Sequence, residues 1–166
     1  MARYGPRLVS KALRILHYAA AAMARLCNLR ARAAALQGGR CIYCDGPMWG
    51  CAPDGSDDID AFLATYGGTA RSALRAQCTA EHIVARQDGG RTTAANIAAA
   101  CRYCNEHRHA RHEADPFTDY RRYVRARLAE GRWDGCAWWR LPDPMRGSRP
   151  DEGDPVPTGL PAMCGN

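Results

Sequence analysis

Two pairs of cysteines constrain the fold of this chain more than any other feature of its sequence: Cys41 with Cys44, and Cys101 with Cys104. The two residues inside each pair let both thiolates point at one ion, and two such pairs supply the four tetrahedral ligands of a structural zinc site. The pairs are 56 residues apart, but the entropic cost of closing a loop grows only logarithmically with its length. The sequence therefore predicts a Zn²⁺ site that joins two distant segments.

Disulfide bonds are the alternative explanation for so many cysteines. The chain contains nine, an odd number, and only a weak export signal, so oxidation in a secretory compartment is disfavoured. Cys51 and Cys78 are alternative zinc ligands, whereas three others are expected to be ordinary thiols: Cys27, Cys136 and Cys164. No stretch approaches the roughly 18 uninterrupted apolar residues of a membrane span, and we expect a cytoplasmic protein without membrane contact.

A long basic segment precedes the first cysteine pair. Proline and glycine are absent from about Leu8 to Leu36, apolar residues recur there at helical spacing, and Gly38-Gly39 follows as a stop signal. We expect one long amphipathic helix, or two helices with a short break, whose apolar stripe packs on the rest of the protein. Contact with nucleic acid or with a partner is the alternative.

The charge of the chain favours anionic partners. Its net charge is +6, nearly all of its cations are arginines, and no acidic residue precedes Asp45. Guanidinium groups suit phosphate oxygens, which agrees with nucleic-acid binding. A soluble basic protein encoded by a GC-rich genome would have a similar composition, so charge alone does not decide between the two.

Helix and strand signals divide the remaining chain. They predict a short helix from the N-cap Ser56 to Tyr66, extended pieces over residues 76–100, a helix from Arg102 to about Glu113, and a basic helix from Phe117 to Glu130. Four parts follow from these signals: a basic helical extension over 1–39, a zinc-containing domain over 40–115, a helix with a tryptophan-containing segment over 116–140, and a disordered tail over 141–166.

Polar residues stand in a fixed order between the cysteine pairs and just after the second. Glu81-His82-Ile83 is followed by Gly89-Gly90, by Asn96-Ile97, and then by Asn105 directly after Cys104. Each residue alone carries little information, but the order and spacing of the whole set resemble those of the HNH endonuclease family. The common form of that family has Cys-x-x-Cys, Asp/Glu-His-Ile/Val, Gly-Gly, Asn-Ile/Leu and Cys-x-x-Cys-Asn in this order. The resemblance extends from Cys41 to Arg111.

The resemblance implies an α+β fold with a ββα-metal core, in which two strands and a helix surround one divalent cation. It implies that Glu81, Asn105 and His109 bind Mg²⁺ or Mn²⁺. Asn105 and His109 are four residues apart, which places both on one face of a helix. His107 and His112 are weaker candidates, which we expect to be solvated helix residues.

The resemblance also implies roles for two further residues. His82 would be the general base that takes a proton from water, since neutral imidazole suits this task near pH 7. Asn96 would orient His82 or steady the loop by hydrogen bonds. Many members have proline three residues after the catalytic histidine, where this chain has Ala85. That difference affects the shape of the loop rather than the chemistry.

The predicted function is hydrolysis of phosphodiester bonds in double-stranded DNA. Six arginines are candidates for nucleic-acid contacts: Arg86, Arg102, Arg108, Arg121, Arg122 and Arg125. The alternatives are a zinc-knuckle protein that binds nucleic acid without cleaving it, and a nuclease subunit of a larger phage or mobile-element complex. A double-strand break would require a homodimer or two binding events. Three tryptophans follow the last predicted helix: Trp133, Trp138 and Trp139. We expect them to fasten the C-terminal segment to the core, and the alternative is that they stack on unpaired bases.

Overall fold

The computed structural model describes residues 6–54, 58–110 and 114–133 of the chain. Its helices are α1 (Pro6–Leu36), α2 (Ile59–Tyr66), α3 (Ala70–Arg75), α4 (Arg102–His109) and α5 (Phe117–Ala129). Its strands are β1 (Cys78–His82) and β2 (Ile97–Cys101), and a short 3₁₀ turn over Arg86–Asp88 lies between them. None of the described helices is long and apolar enough to cross a membrane. The predicted tail over 141–166 lies outside the described residues.

Helix α1 forms where the sequence predicts it, and as one uninterrupted helix. It ends at Leu36, just before Gly38 and Gly39, which both have positive φ. The amide of Gly39 donates a hydrogen bond to the carbonyl of Ala34 at 2.8 Å. The last turns of α1 pack on both strands, with Ala33 and Ala34 buried. The side chain of Gln37 adds two hydrogen bonds to the backbone of Ala99 in β2, at 2.8 and 2.9 Å. These contacts fix the C-terminal end of α1 to the sheet.

The middle of α1 differs from the prediction. Leu13, Leu16 and Met23 belong to the stripe that was expected to pack on the protein, yet each is more than half exposed. All residues from Leu13 to Arg25 are exposed. Packing of the stripe on the described part of the chain begins only near Leu26. The prediction that the whole stripe covers the core is therefore wrong for this part of the helix.

Strands β1 and β2 form an antiparallel pair in which Cys78 faces Cys101 and His82 faces Ile97. Strand β2 is buried along its length, and its three alanines allow close packing from both sides. Successive side chains of a strand point to opposite faces, so Thr79 and Glu81 share one face of β1. Helix α4 follows β2 directly and packs on both strands. The two strands and α4 form the predicted ββα unit within an α+β fold.

Helix α5 closes the other side of the second cysteine pair. Its buried Tyr120 donates a hydrogen bond from its hydroxyl to the carbonyl of Cys104 at 2.8 Å. Trp133, just after the helix, is buried and makes edge contacts with the rings of Tyr103 and Tyr120. Trp133 thus fastens this segment to the core, as we favoured. Trp138 and Trp139 lie outside the described residues.

Two short helices connect the first cysteine pair to β1. The N-cap of α2 is Asp58, whose carboxylate accepts from the amide of Asp60 at 2.7 Å, and Gly67 ends the helix as predicted. The expected cap, Ser56, lies outside the described residues. Helix α3 was not predicted; it begins with a reciprocal pair of hydrogen bonds between Thr69 and Ser72.

Candidate metal centres and active site

The four predicted zinc ligands form one buried cluster. Their sulfur atoms all lie within 4.8 Å of one another: Cys41, Cys44, Cys101 and Cys104. Zn–S bonds of about 2.3 Å in a tetrahedron place sulfurs about 3.8 Å apart, and the Sγ atoms of Cys44 and Cys101 are 3.9 Å apart. Burial raises the pKa of the Cys104 thiol, so its thiolate form requires a cation beside it. The arrangement fits a structural Zn²⁺ ion.

The first cysteine pair is held against the sheet by its own backbone. The amide of Cys41 donates to Gly46 at 2.9 Å, and the amide of Asp45 donates to Cys41 at 2.9 Å. Asp45 adopts a positive φ of 60°, which closes the tight turn after Cys44. The amide of Ile42 donates to Ala99 of β2 at 3.0 Å. Residues 41–46 therefore form a knuckle that is bonded directly to the strand leading to the second pair.

A second polar cluster surrounds Glu81, which is 0% exposed. Its Oε1 atom accepts a hydrogen bond from Nη1 of Arg108 and lies 3.3 Å from Nε2 of His109. Its Oε2 atom is buried and has no hydrogen-bond partner among the described residues. A buried carboxylate oxygen without a partner is costly. A divalent cation bound to Oε2 would remove that cost, so the residues present fit a metal at this position.

Asn105 and His109 lie on the face of α4 that meets β1. The amide nitrogen of Asn105 donates to Oγ1 of Thr79 at 2.9 Å and to the carbonyl of Ala80 at 3.2 Å. Because these bonds use the nitrogen, the amide oxygen is the atom of Asn105 that could bind a cation. His109 is 36% exposed and forms the solvent side of the cluster. Glu81, Asn105 and His109 are thus assembled along one face of β1.

The other two histidines considered as ligands fall elsewhere. Nδ1 of His107 lies 2.9 Å from the carbonyl of Tyr103, and the two rings are stacked with centroids 3.8 Å apart. Its ring also contacts Trp133. His107 is therefore an exposed helix residue that packs on aromatic side chains, as expected. His112 lies outside the described residues.

Arg108 departs from the sequence prediction. It was a candidate for nucleic-acid contact, but its side chain is 2% exposed. Besides its bond to Glu81, Nη1 donates to the carbonyl of His82 at 2.9 Å, Nη2 to Ile83 at 3.0 Å and Nε to Asp115 at 3.0 Å. Because the N–H groups of Arg108 donate to acceptors inside the protein, its guanidinium group is not accessible to a phosphate. The assignment of Arg108 to nucleic acid is therefore wrong. Sequence gave no signal for this role, since exposed and buried arginines look alike in a basic chain.

Tyr43 connects the zinc knuckle to the cluster around Glu81. It lies between Cys41 and Cys44, is fully buried, and packs its ring against Phe117 and Tyr120. Its hydroxyl lies beside Glu81 and Arg108 without a well-formed hydrogen bond to any described residue. Burial, and then the negative charge of Glu81, raise the pKa of Tyr43 far above its usual value. The phenol is therefore neutral at any physiological pH.

His82 ends β1 and is 9% exposed. Its Nε2 atom lies 3.1 Å from Oγ1 of Thr92, which the sequence did not identify because a threonine in a loop carries no distinctive signal. Burial lowers the pKa of His82, and the nearby cation of Arg86 lowers it further, while the charge of Glu81 opposes the change. The imidazole is therefore neutral near pH 7, which is the form that can accept a proton.

Asn96 steadies the loop that follows His82. Its Oδ1 accepts from the amide of Val84 at 2.8 Å, and its Nδ2 donates to the carbonyls of Val84 and Arg91 at 3.1 and 3.0 Å. Of the two roles expected for Asn96, this is the one that its contacts support. Gly90 completes the same loop: a Cβ atom there would lie 1.8 Å from the carbonyl oxygen of Val84. Only glycine allows this close approach.

The remaining candidate arginines lie on accessible surfaces. Arg86 and Arg122 are exposed, and Arg102, Arg121 and Arg125 are half-buried. Arg102 also forms an ion pair with Glu106 one turn further along α4, at 3.7 Å. Among the six predicted contact residues, Arg108 is therefore the one whose burial rules out contact with a large anionic ligand.

Comparison with known proteins gives one result. Residues 69–111 match the family described as HNH endonuclease. The match begins at the cap of α3, includes both strands and α4, and does not extend to Cys41 and Cys44. No match is found among curated proteins or among solved structures.

Proposed function

We propose that this protein, whose residues 69–111 match the HNH endonuclease family, is a metal-dependent endonuclease that hydrolyses phosphodiester bonds of double-stranded DNA. The observation that supports this most directly is the assembly at the end of β1. The neutral, nearly buried His82 directly follows Glu81, whose Oε2 atom has no hydrogen-bond partner among the described residues. The amide of Asn105 and the imidazole of His109, both on α4, lie on the same face of β1 as the Glu81 carboxylate.

His82 would act as the general base. Its Nε2 atom faces Thr92, so the other ring nitrogen, Nδ1, would take the proton from the attacking water. The oxygen of that water forms a bond to phosphorus as the bond to the 3′ oxygen breaks. The leaving 3′ oxygen would take a proton from solvent water, so the products would carry a 5′-phosphate and a 3′-hydroxyl. Asn96 would keep the following loop fixed, so that the ring of His82 does not move during the reaction.

Glu81, Asn105 and His109 would hold Mg²⁺ or Mn²⁺ through a carboxylate oxygen, an amide oxygen and an imidazole nitrogen. Such an ion supplies positive charge that stabilises the negative charge developing on the phosphate and on the leaving oxygen. The four-cysteine cluster would hold Zn²⁺ and serve only to fold the domain.

DNA would be held by the five accessible candidate arginines: Arg86, Arg102, Arg121, Arg122 and Arg125. Contacts to phosphates position a protein on the duplex without reading its sequence. One active site cuts one strand, so double-strand cleavage would need a homodimer or a larger complex. We place the protein in the cytoplasm, where zinc-binding thiols stay reduced, with residues 40–115 as its nuclease domain, flanked by 1–39 and 116–140.

The test is cleavage of supercoiled plasmid in the presence of Mg²⁺, Mn²⁺ or EDTA. We expect wild type to nick or linearise the plasmid only with a divalent cation, and His82→Ala to lose this activity while retaining zinc and DNA binding. His107→Ala is the matched control, because His107 is an exposed histidine of α4 packed on Tyr103, and it should cleave as wild type does.

Two outcomes would contradict the proposal. Cleavage by His82→Ala at the wild-type rate would remove His82 from the mechanism. No cleavage with any cation, while DNA binding persists, would favour a zinc-knuckle protein that binds nucleic acid without cleaving it, or a subunit that requires a larger complex.

A further inference from the structure

We propose that Arg108 is a positioning residue for the metal ligand Glu81 and for His82. It would bind one carboxylate oxygen of Glu81, so that the other oxygen alone is presented to the divalent cation, while it fixes the backbone of the end of β1. This inference rests on the proposed nuclease function and deepens it, because it concerns the same site.

The first argument is the geometry of the guanidinium group. One planar group donates to carbonyls from two separate segments: those of His82 and Ile83 at the end of β1, and that of Asp115 after α4. These bonds fix the backbone at His82 and directly after it. Lysine carries the same charge, but its single nitrogen cannot reach three carbonyls and a carboxylate in one plane.

The second argument is that the two carboxylate oxygens of Glu81 have different surroundings. Oε1 lies within hydrogen-bonding distance of both Arg108 and His109, whereas Oε2 has no hydrogen-bond partner among the described residues. Rotation of the carboxylate would break the bond between Oε1 and Arg108 inside a fully buried space. Arg108 therefore determines which oxygen is available to a cation.

The third argument is electrostatic. The positive charge of Arg108 next to Glu81 weakens the attraction of the carboxylate for a divalent cation. An arginine that served only to balance charge would thus oppose metal binding. Its orienting effect on Glu81 and on the His82 backbone has to outweigh this repulsion, and the balance between the two effects is what the experiment measures.

The main experiment measures Mn²⁺ affinity by electron paramagnetic resonance, without DNA, for wild type, Arg108→Lys and Arg108→Met. Loss of a group that orients a metal ligand typically weakens metal affinity or activity by about 10- to 100-fold. We expect such a loss in both variants. We also expect Arg108→Lys to lower kcat with little change in KM for DNA, because the arginine is too deeply buried to touch the substrate.

Arg132→Met is the matched control, since Arg132 is an exposed arginine that pairs with Glu130, and the Mn²⁺ affinity of this variant should equal that of wild type. Equal or tighter Mn²⁺ binding by Arg108→Lys and Arg108→Met would overturn the proposal and identify Arg108 as a competitor of the metal. If wild type itself binds no Mn²⁺ and cleaves no DNA, the proposed function fails instead.

A measurement on wild type covers the case in which the Arg108 variants do not fold. The ¹⁵N signals of the Arg108 guanidinium can be followed during a Mg²⁺ titration. If Arg108 positions Glu81, its N–H groups stay protected from exchange with water when Mg²⁺ binds. Loss of that protection on binding would mean that the cation displaces Arg108, and would refute the inference.

Discussion

Replacement of Cys104 by serine should unfold residues 40–115 as a whole rather than loosen one turn. The Cys104 sulfur belongs to the cluster that joins the 41–46 knuckle to the start of α4. Its backbone carbonyl accepts from Tyr120 of α5, so the same residue is also a contact point for the C-terminal helix. In this variant the three remaining buried thiols would have no cation to stabilise them, and the link between the knuckle and the start of α4 would be lost.

The expected magnitude follows from the composition of the core. Eight of the 21 buried apolar residues of the described chain are alanines and five are cysteines. A buried methylene contributes about 0.8 kcal/mol, against about 1.5–3 kcal/mol for a fully buried Leu or Phe, so an alanine-rich core is weakly stabilising. Structural zinc contributes on the order of 10–16 kcal/mol in zinc-finger peptides at pH 7. The stability of a whole domain is only about 5–15 kcal/mol, so loss of zinc should exceed it.

The assay combines thermal melting by circular dichroism with zinc content by mass spectrometry. Wild type should bind one zinc and melt cooperatively, whereas Cys104→Ser should contain no zinc and show no cooperative transition. Cys27→Ser is the control, because Cys27 is a half-buried thiol of α1 that does not belong to the cluster. A zinc-free Cys104→Ser protein that melts cooperatively within a few degrees of wild type would refute this reasoning.

Three further substitutions test the loop after His82 and the link from the knuckle to Glu81. Gly90→Ala should cost more stability than Gly89→Ala. A Cβ atom at residue 90 would collide with the Val84 carbonyl, whereas a Cβ atom at residue 89 meets no other atom and is disfavoured only by the positive φ of 82°. Urea titration of both variants measures the difference in the free energy of unfolding, and equal costs would contradict this prediction. Ala85→Pro should stabilise the folded protein by about 0.4–1 kcal/mol, because Ala85 already has the φ of −60° that a proline ring requires. A lower urea midpoint than that of wild type would show that the ring is not accommodated. Tyr43→Phe should leave the stability of the zinc-bound protein, measured without Mg²⁺ or Mn²⁺, unchanged or higher, since the buried hydroxyl has no well-formed hydrogen bond. A loss above about 1 kcal/mol, the size of an ordinary hydrogen bond, would mean that the hydroxyl bonds to Glu81.

Sequence patterns predicted the parts of this fold that depend on local signals. The length of α1 follows from a run without proline or glycine and from Gly38-Gly39 at its end. The shared face of Asn105 and His109 follows from helical periodicity, and the cysteine cluster follows from the spacing within each pair. In each case the information lies within a few residues or in a ligand type that has few other uses.

The features that the sequence did not predict depend on contacts between distant segments. Arg108 was one of six arginines assigned to nucleic acid in a basic chain, but its role is set by the carbonyls of residues 82, 83 and 115. The contact between Thr92 and His82 depends on the path of the loop between them, in which Gly90 approaches Val84 closely. The exposed middle of α1 could not be distinguished from a packed helix, since amphipathic periodicity does not show how far the covering surface extends.

The two proposed metal sites share one stretch of buried structure, so the zinc knuckle would help to maintain the proposed nuclease site. Tyr43 belongs to the zinc knuckle, yet its hydroxyl lies beside the Glu81–Arg108 pair. A buried ion pair is expensive unless its surroundings are fixed, because the desolvation of both charges must be offset by well-aligned partners. The zinc knuckle fixes Tyr43, β2 fixes the knuckle through Ile42 and Ala99, and β2 pairs with the strand that carries Glu81. Zinc would therefore hold the charged side chains of Glu81 and Arg108 in place without touching the substrate of the proposed nuclease.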